Sequence, residues 1–153
     1  MHLLRLMFVL LLNLSINTIA YANVILTEMN GKQIDFTSLQ GKWVMINYWA
    51  SWCQPCLDEI RELNAFYRHN HDKVALYAVN YDGLSLQKQQ QLIHEYQITY
   101  PSLQNNPAKS LELGALVGVP ATYVFNPAGQ WVDTLYGGQT RQSLNEVINE
   151  ALN

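Results

Sequence analysis

Apolar and polar positions along the chain alternate between strand-like and helix-like spacing. Trp43-Val-Met-Ile-Asn-Tyr-Trp49 is an apolar run rich in β-formers, as expected of a central strand buried on both faces. Val24–Phe36, with Asn30-Gly31 at its middle, predicts a β-hairpin or a loose extended entry. From Cys53 a helix is expected: Leu57, Ile60, Leu63, Phe66 and Tyr67 share a stripe, while Asp58, Arg61, Glu62 and Arg68 fall largely elsewhere. Val74–Asn80 reads as a second buried strand.

Ser85–Gln97 then predicts a glutamine-rich helix capped by Ser85, with Leu86, Leu92, Ile93 and Tyr96 as its apolar side and Gln87–Gln91 as a solvated face. A short helix is expected around Pro107–Leu116. Ala121–Phe125 is a third core strand, and Asn126-Pro-Ala-Gly129 a turn into a fourth at Gln130–Tyr136, closed by Gly137-Gly138. Thr140 should cap a final helix with Leu144, Val147, Ile148, Ala151 and Leu152 inward. A β-α-β half followed by a hairpin and helix makes an α/β sandwich around a mixed sheet.

The first 22 residues stand apart. Arg5 is their only Lys or Arg, an apolar stretch runs from Leu6 to Leu12, and Ala20-Tyr21-Ala22 has the small-x-small form of a leader-peptide cleavage site. The apolar run falls short of the about 20 residues that a spanning helix needs. Residues 1–22 are therefore expected to be a removable export signal and 23–153 the working domain, with a retained anchor as the alternative. At 153 residues and 49% apolar composition there is room for one domain with a real core. A net charge of −3 without a Lys/Arg cluster argues against nucleic acid as the partner.

Cys53 and Cys56 are the whole thiol inventory. A structural disulfide is the default in an exported chain, but a loop this short restrains the unfolded state little. Zinc would need two further ligands, and the four histidines offer none nearby in sequence. Covalent haem attachment needs His after the second Cys, where Leu57 stands. Redox chemistry remains. At the junction of a buried strand and a helix, Cys53 would sit among unsatisfied N–H groups that favour a thiolate, and so attack disulfides at neutral pH. Cys56, one turn in, is placed to resolve the mixed disulfide. Pro55 fits the first helical turn, which has no use for the N–H it lacks.

The stretch Asn47-Tyr-Trp-Ala-Ser-Trp-Cys-Gln-Pro-Cys-Leu-Asp-Glu59 resembles the TlpA/ResA/DsbE branch of the thioredoxin superfamily. Leu39–Lys42, Val79–Asp82, Gly118–Phe125 and Gly129 extend the likeness over nearly all of the chain after residue 22. The resemblance implies a thioredoxin fold with an N-terminal hairpin extension. It also implies an extracytoplasmic thiol–disulfide interchange protein, commonly a reductant serving cytochrome c assembly or another exported client.

Its partners would be client proteins with disulfides or free thiols and a membrane thiol-reductant donor; neither metal nor cofactor is implied. Pro120 matches the family's cis-proline opposite the cysteines, so Val119 would pair its backbone with substrate. Asn47, six residues before Cys53, replaces the aspartate of cytoplasmic thioredoxins and cannot titrate. That leaves Glu59, three residues after Cys56, as the candidate proton acceptor, against the plainer role of a surface helix acid. Trp49 and Trp52 match the family's aromatics around the pair, Trp52 either shielding the disulfide or packing in the core.

A net disulfide-forming oxidant, usually marked by a large helical insertion, is the alternative within this chemistry. A peroxide-reducing enzyme would want Thr three residues before the cysteine, where Ala50 stands. A non-catalytic interaction module would not need the intact pair with Pro120.

Overall fold

The computed structural model describes residues 24–150. The chain forms β1 (Ile25–Thr27), β2 (Gln33–Asp35), β3 (Trp43–Trp49), α1 (Gln54–Asn70), β4 (Val74–Asn80), α2 (Leu86–Glu95), β5 (Ala121–Phe125), β6 (Trp131–Tyr136) and α3 (Arg141–Glu150). The main sheet has the order β4-β3-β5-β6; β3 and β4 are parallel, and the other pairs antiparallel. β1 and β2 make the expected hairpin, with Ile25 opposite Asp35. Gly31 turns it at φ +87°, a conformation that L side chains avoid.

Every residue of β3 is buried, as its apolar run requires. Its odd positions Trp43, Met45 and Trp49 pack with Ile60, Leu63, Phe66, Leu92, Leu144 and Ile148 of the helices. Its even positions Val44, Ile46 and Tyr48 pack with Leu26, Ile34 and Phe36 of the hairpin segment and with Leu103, Leu111 and Leu113. Asn47 has the parity of the helix side, so a polar side chain enters that layer. The hairpin is tied on through Ser102 and Leu103. Ala78 N–H donates to Pro101 O and Leu103 N–H to Ala78 O, while Met29 N–H donates to Ser102 O, each at 2.8 Å. No described helix is long and apolar enough to cross a membrane.

Two expectations change. Pro107–Leu116 is one hydrogen-bonded turn over residues 108–112, not a helix. Glu112 (φ +54°) and Gly114 (φ +72°) both turn left-handed, which stops helix propagation; Leu111 and Leu113 instead anchor the loop in the core. In α2, Leu86 is 44% exposed, while Gln89 of the glutamine tract is buried and donates to Leu84 O at 2.8 Å. A buried side chain that satisfies a carbonyl before the helix displaced the apolar residue from that face. Ser85 caps α2 and Thr140 caps α3 as expected, through bonds from Lys88 N–H and Ser143 N–H. Residues 1–22 and the inward positions expected at Ala151 and Leu152 lie outside the described residues.

Candidate active site

β3 delivers the chain to Cys53, which caps α1, and Cys53 is joined to Cys56 in a disulfide with Cα atoms 5.3 Å apart. Cys56 N–H donates to Cys53 Sγ at 3.3 Å and Leu57 N–H to Cys53 O at 3.2 Å. Cys53 keeps 6% of its surface exposed and Cys56 none. Of the two cysteines, the one at the helix N-terminus is thus also the one that keeps some exposed surface. The preceding loop is pinned from β4's end. Asp82 Oδ2 accepts from Ser51 N–H at 3.0 Å and from Asn80 Nδ2 at 2.6 Å, and Ser51 Oγ donates to Asp82 Oδ1 at 3.2 Å.

The Val119–Pro120 peptide is cis. Ala121 pairs with Tyr48 near the end of β3, so Pro120 stands at the sheet end from which Cys53 emerges. Gly137 N–H donates to Pro120 O at 2.9 Å, and Gly138 lies against the Pro55 carbonyl, where a Cβ would come within 3.5 Å. Those two contacts tie the Pro120 strand to the first turn of α1. Val119 is half-buried and packs against both apolar layers, and its backbone has no backbone partner among the described residues.

Trp49 is buried edge-on to Tyr96, with ring centres 5.9 Å apart. Trp52 is 70% exposed, which rules out the core-packing role for it. A preceding glycine-free loop held by Asp82 turns its ring outward, and Val117, two residues before Val119, is 84% exposed. Apolar side chains therefore stand in solvent on both segments that lead to the site.

Glu59 is 3% exposed rather than a surface helix acid. Its Oε1 accepts from Asn47 Nδ2 at 2.8 Å and its Oε2 from Gln139 N–H at 2.7 Å. Burial pushes the carboxyl from 4.5 up to about 7, against the two hydrogen bonds, which pull it down. Asn47 is itself fully buried: Nδ2 also donates to Thr122 Oγ1 at 3.0 Å, and Oδ1 accepts from the Tyr100 hydroxyl at 3.3 Å. The structure thus joins Cys53 to Cys56 and Asn47 to Glu59, with Glu59 one helical turn after Cys56 on α1. It adds Tyr100, Thr122, Gln139 and Asp82, which the sequence did not mark as site residues. Thr122 was findable only from register, since it faces Asn47 across β3 and β5. Gln139 enters through its backbone, which no side-chain pattern reports.

Such a site can hold a thiolate at a helix end, exchange it with a disulfide, and offer a carboxyl that titrates near neutrality one helical turn from the inner sulfur. Ala50 is buried and has no hydroxyl to activate a peroxide.

Residues 20–132 match the AhpC/TSA family. The chain is 29% identical over 128 residues to the thiol-disulfide oxidoreductase ResA of Bacillus subtilis, covering 83% of this chain and 71% of that protein. Among solved structures, StoA from Bacillus subtilis superposes with a TM-score of 0.62 at 25% identity, covering 80% of this chain and 92% of that one. The exposed lipoprotein thioredoxin Etrx1 from Streptococcus pneumoniae gives a TM-score of 0.72 at 22% identity, covering 84% and 99%, a likeness of fold. With a disulfide at the start of α1, a thioredoxin-like sheet and these relatives, the chain belongs to the AhpC/TSA family and is a thiol–disulfide oxidoreductase similar to ResA.

Proposed function

We propose that the protein is exported and works as a reductase of client disulfides, with cytochrome c maturation among the processes it could serve. The observation that carries this reading is the Cys53–Cys56 pair at the N-terminus of α1 with Glu59 buried behind it. In the reduced protein the Cys53 thiolate attacks a client disulfide; a Cys53–client bond forms and one client sulfur leaves as thiolate. Cys56 then gives its proton to Glu59 and attacks the Cys53 sulfur. The Cys53–Cys56 bond closes as the Cys53–client bond breaks, and the second client sulfur leaves as a thiolate that takes the proton from Glu59. Two electrons pass from the pair to the client, and a membrane thiol-reductant donor restores the dithiol.

Val119 offers unpaired backbone to an extended client segment beside Pro120, and Trp52 gives that segment an apolar surface. The reduced protein should accelerate insulin disulfide reduction well beyond the free-thiol background, and Cys53→Ser should not. No acceleration by the parent would overturn this reading.

Export is supported by the leader-like first 22 residues and by the structural neighbour Etrx1, an exposed lipoprotein thioredoxin. Mass spectrometry of the exported fraction is expected to find a chain beginning at Asn23. An intact chain in the membrane pellet is the contrary result.

A further inference from the structure

Glu59 is hydrogen-bonded by Asn47 on β3 and by Gln139 before α3, stands one helical turn after Cys56 on α1, and its charge acts on Tyr100. No charged side chain contributes to the Glu59 shift. Asn47 therefore stands between a group that changes charge and two hydroxyls, Thr122 Oγ1 and Tyr100 Oη. Neither hydroxyl has another hydrogen-bond partner among the described residues. A hydroxyl can donate or accept, so each can exchange role without breaking a bond elsewhere.

We propose that Asn47 is a positioning residue that turns its amide over when Glu59 takes up a proton. With Glu59 ionised, Nδ2 donates to Glu59 and Thr122 while Oδ1 accepts from Tyr100. With Glu59 protonated, Oδ1 accepts from Glu59 Oε1–H and from Thr122, and Nδ2 donates to Tyr100. Both oxygens of the buried carboxyl then keep a hydrogen-bond partner in either charge state, which an apolar residue at position 47 could not arrange. The arrangement also assigns the proton to Oε1, because Oε2 stays bound to the fixed Gln139 N–H.

The value of this device to catalysis rests on the role proposed above for Glu59. The test does not, because it uses oxidised protein without client, in which neither cysteine titrates. In labelled protein, NOEs from the Asn47 amide protons should lie on the Thr122 methyl at pH 8.5 and move to the Tyr100 ring at pH 5.5. Contacts that stay with Thr122 at both pH values overturn the proposal. The Glu59 carboxyl midpoint, followed by its carbon shift, supplies a second readout.

Thr122→Val orphans an Asn47 N–H only while Glu59 is ionised. It should therefore raise the midpoint by about one pH unit, a tenfold change in protonation. Thr122→Ser, which keeps the hydroxyl, should leave the midpoint in place. A fixed amide would be orphaned equally in both charge states, so an unmoved midpoint in Thr122→Val contradicts the turnover.

Discussion

Cys56→Ser is expected to accumulate covalent mixed disulfides with clients, and Cys53→Ser to accumulate none. Attack requires a reachable thiolate. Cys53 has the exposed surface, the end of the α1 dipole and the Cys56 N–H pointed at its sulfur, whereas Cys56 is closed to solvent. Without Cys56 the first exchange still occurs, but nothing inside the protein breaks the Cys53–client bond. Turnover should fall by at least about 10³-fold in either variant, the scale seen when a nucleophile is removed. Non-reducing gels of protein captured from cells separate the two, and equal trapping by Cys53→Ser would reverse the assignment.

Glu59→Gln is expected to slow client reduction on the order of 10²-fold, the usual worth of a positioned proton acceptor. Below about pH 7 the parent's Glu59 already holds a proton and cannot accept one from Cys56. The parent rate should therefore climb through pH 7 on this group, and the variant should lack that limb. Stability moves the other way. The unfolded carboxyl gives up its proton near 4.5 and the native one near 7, so between these values the native state holds more protons.

Stability from this group is complete below pH 4.5 and is lost as pH rises through 7, by about 3 kcal/mol. Glu59→Gln carries no charge to bury and should flatten that slope, gaining on the parent at pH 8. Urea melts at pH 5 and 8 check it. An unchanged rate profile with a flattened melt would leave Glu59 as a buried acid with no part in proton transfer.

Both predictions draw on features that differ in how visible they were from the chain alone. β3 was plain because seven successive buried residues need no partner to be recognised, and Cys53 was placed on the helix start by the end of that run. The direction of Glu59 followed from its spacing to Cys56, but its burial did not. The groups that cover it come from Asn47, Gln139 and, through Asn47, Thr122, brought together by β3–β5 pairing across 75 residues and by a loop 80 residues away. Helical spacing over Pro107–Leu116 was real yet lost to left-handed backbone at Glu112 and Gly114. The bridge from Ser102 and Leu103 to the hairpin left no periodic mark, since isolated ladder contacts impose none.

Whether this couple gives electrons to clients or takes them is decided by its reduction potential. Equilibrating the protein with glutathione buffers of known ratio, and reading the Cys53–Cys56 pair by thiol alkylation, measures it directly. A reductase predicts a potential below about −200 mV, toward the approximately −270 mV of thioredoxin. A value near −120 mV, where strong disulfide donors lie, would contradict it.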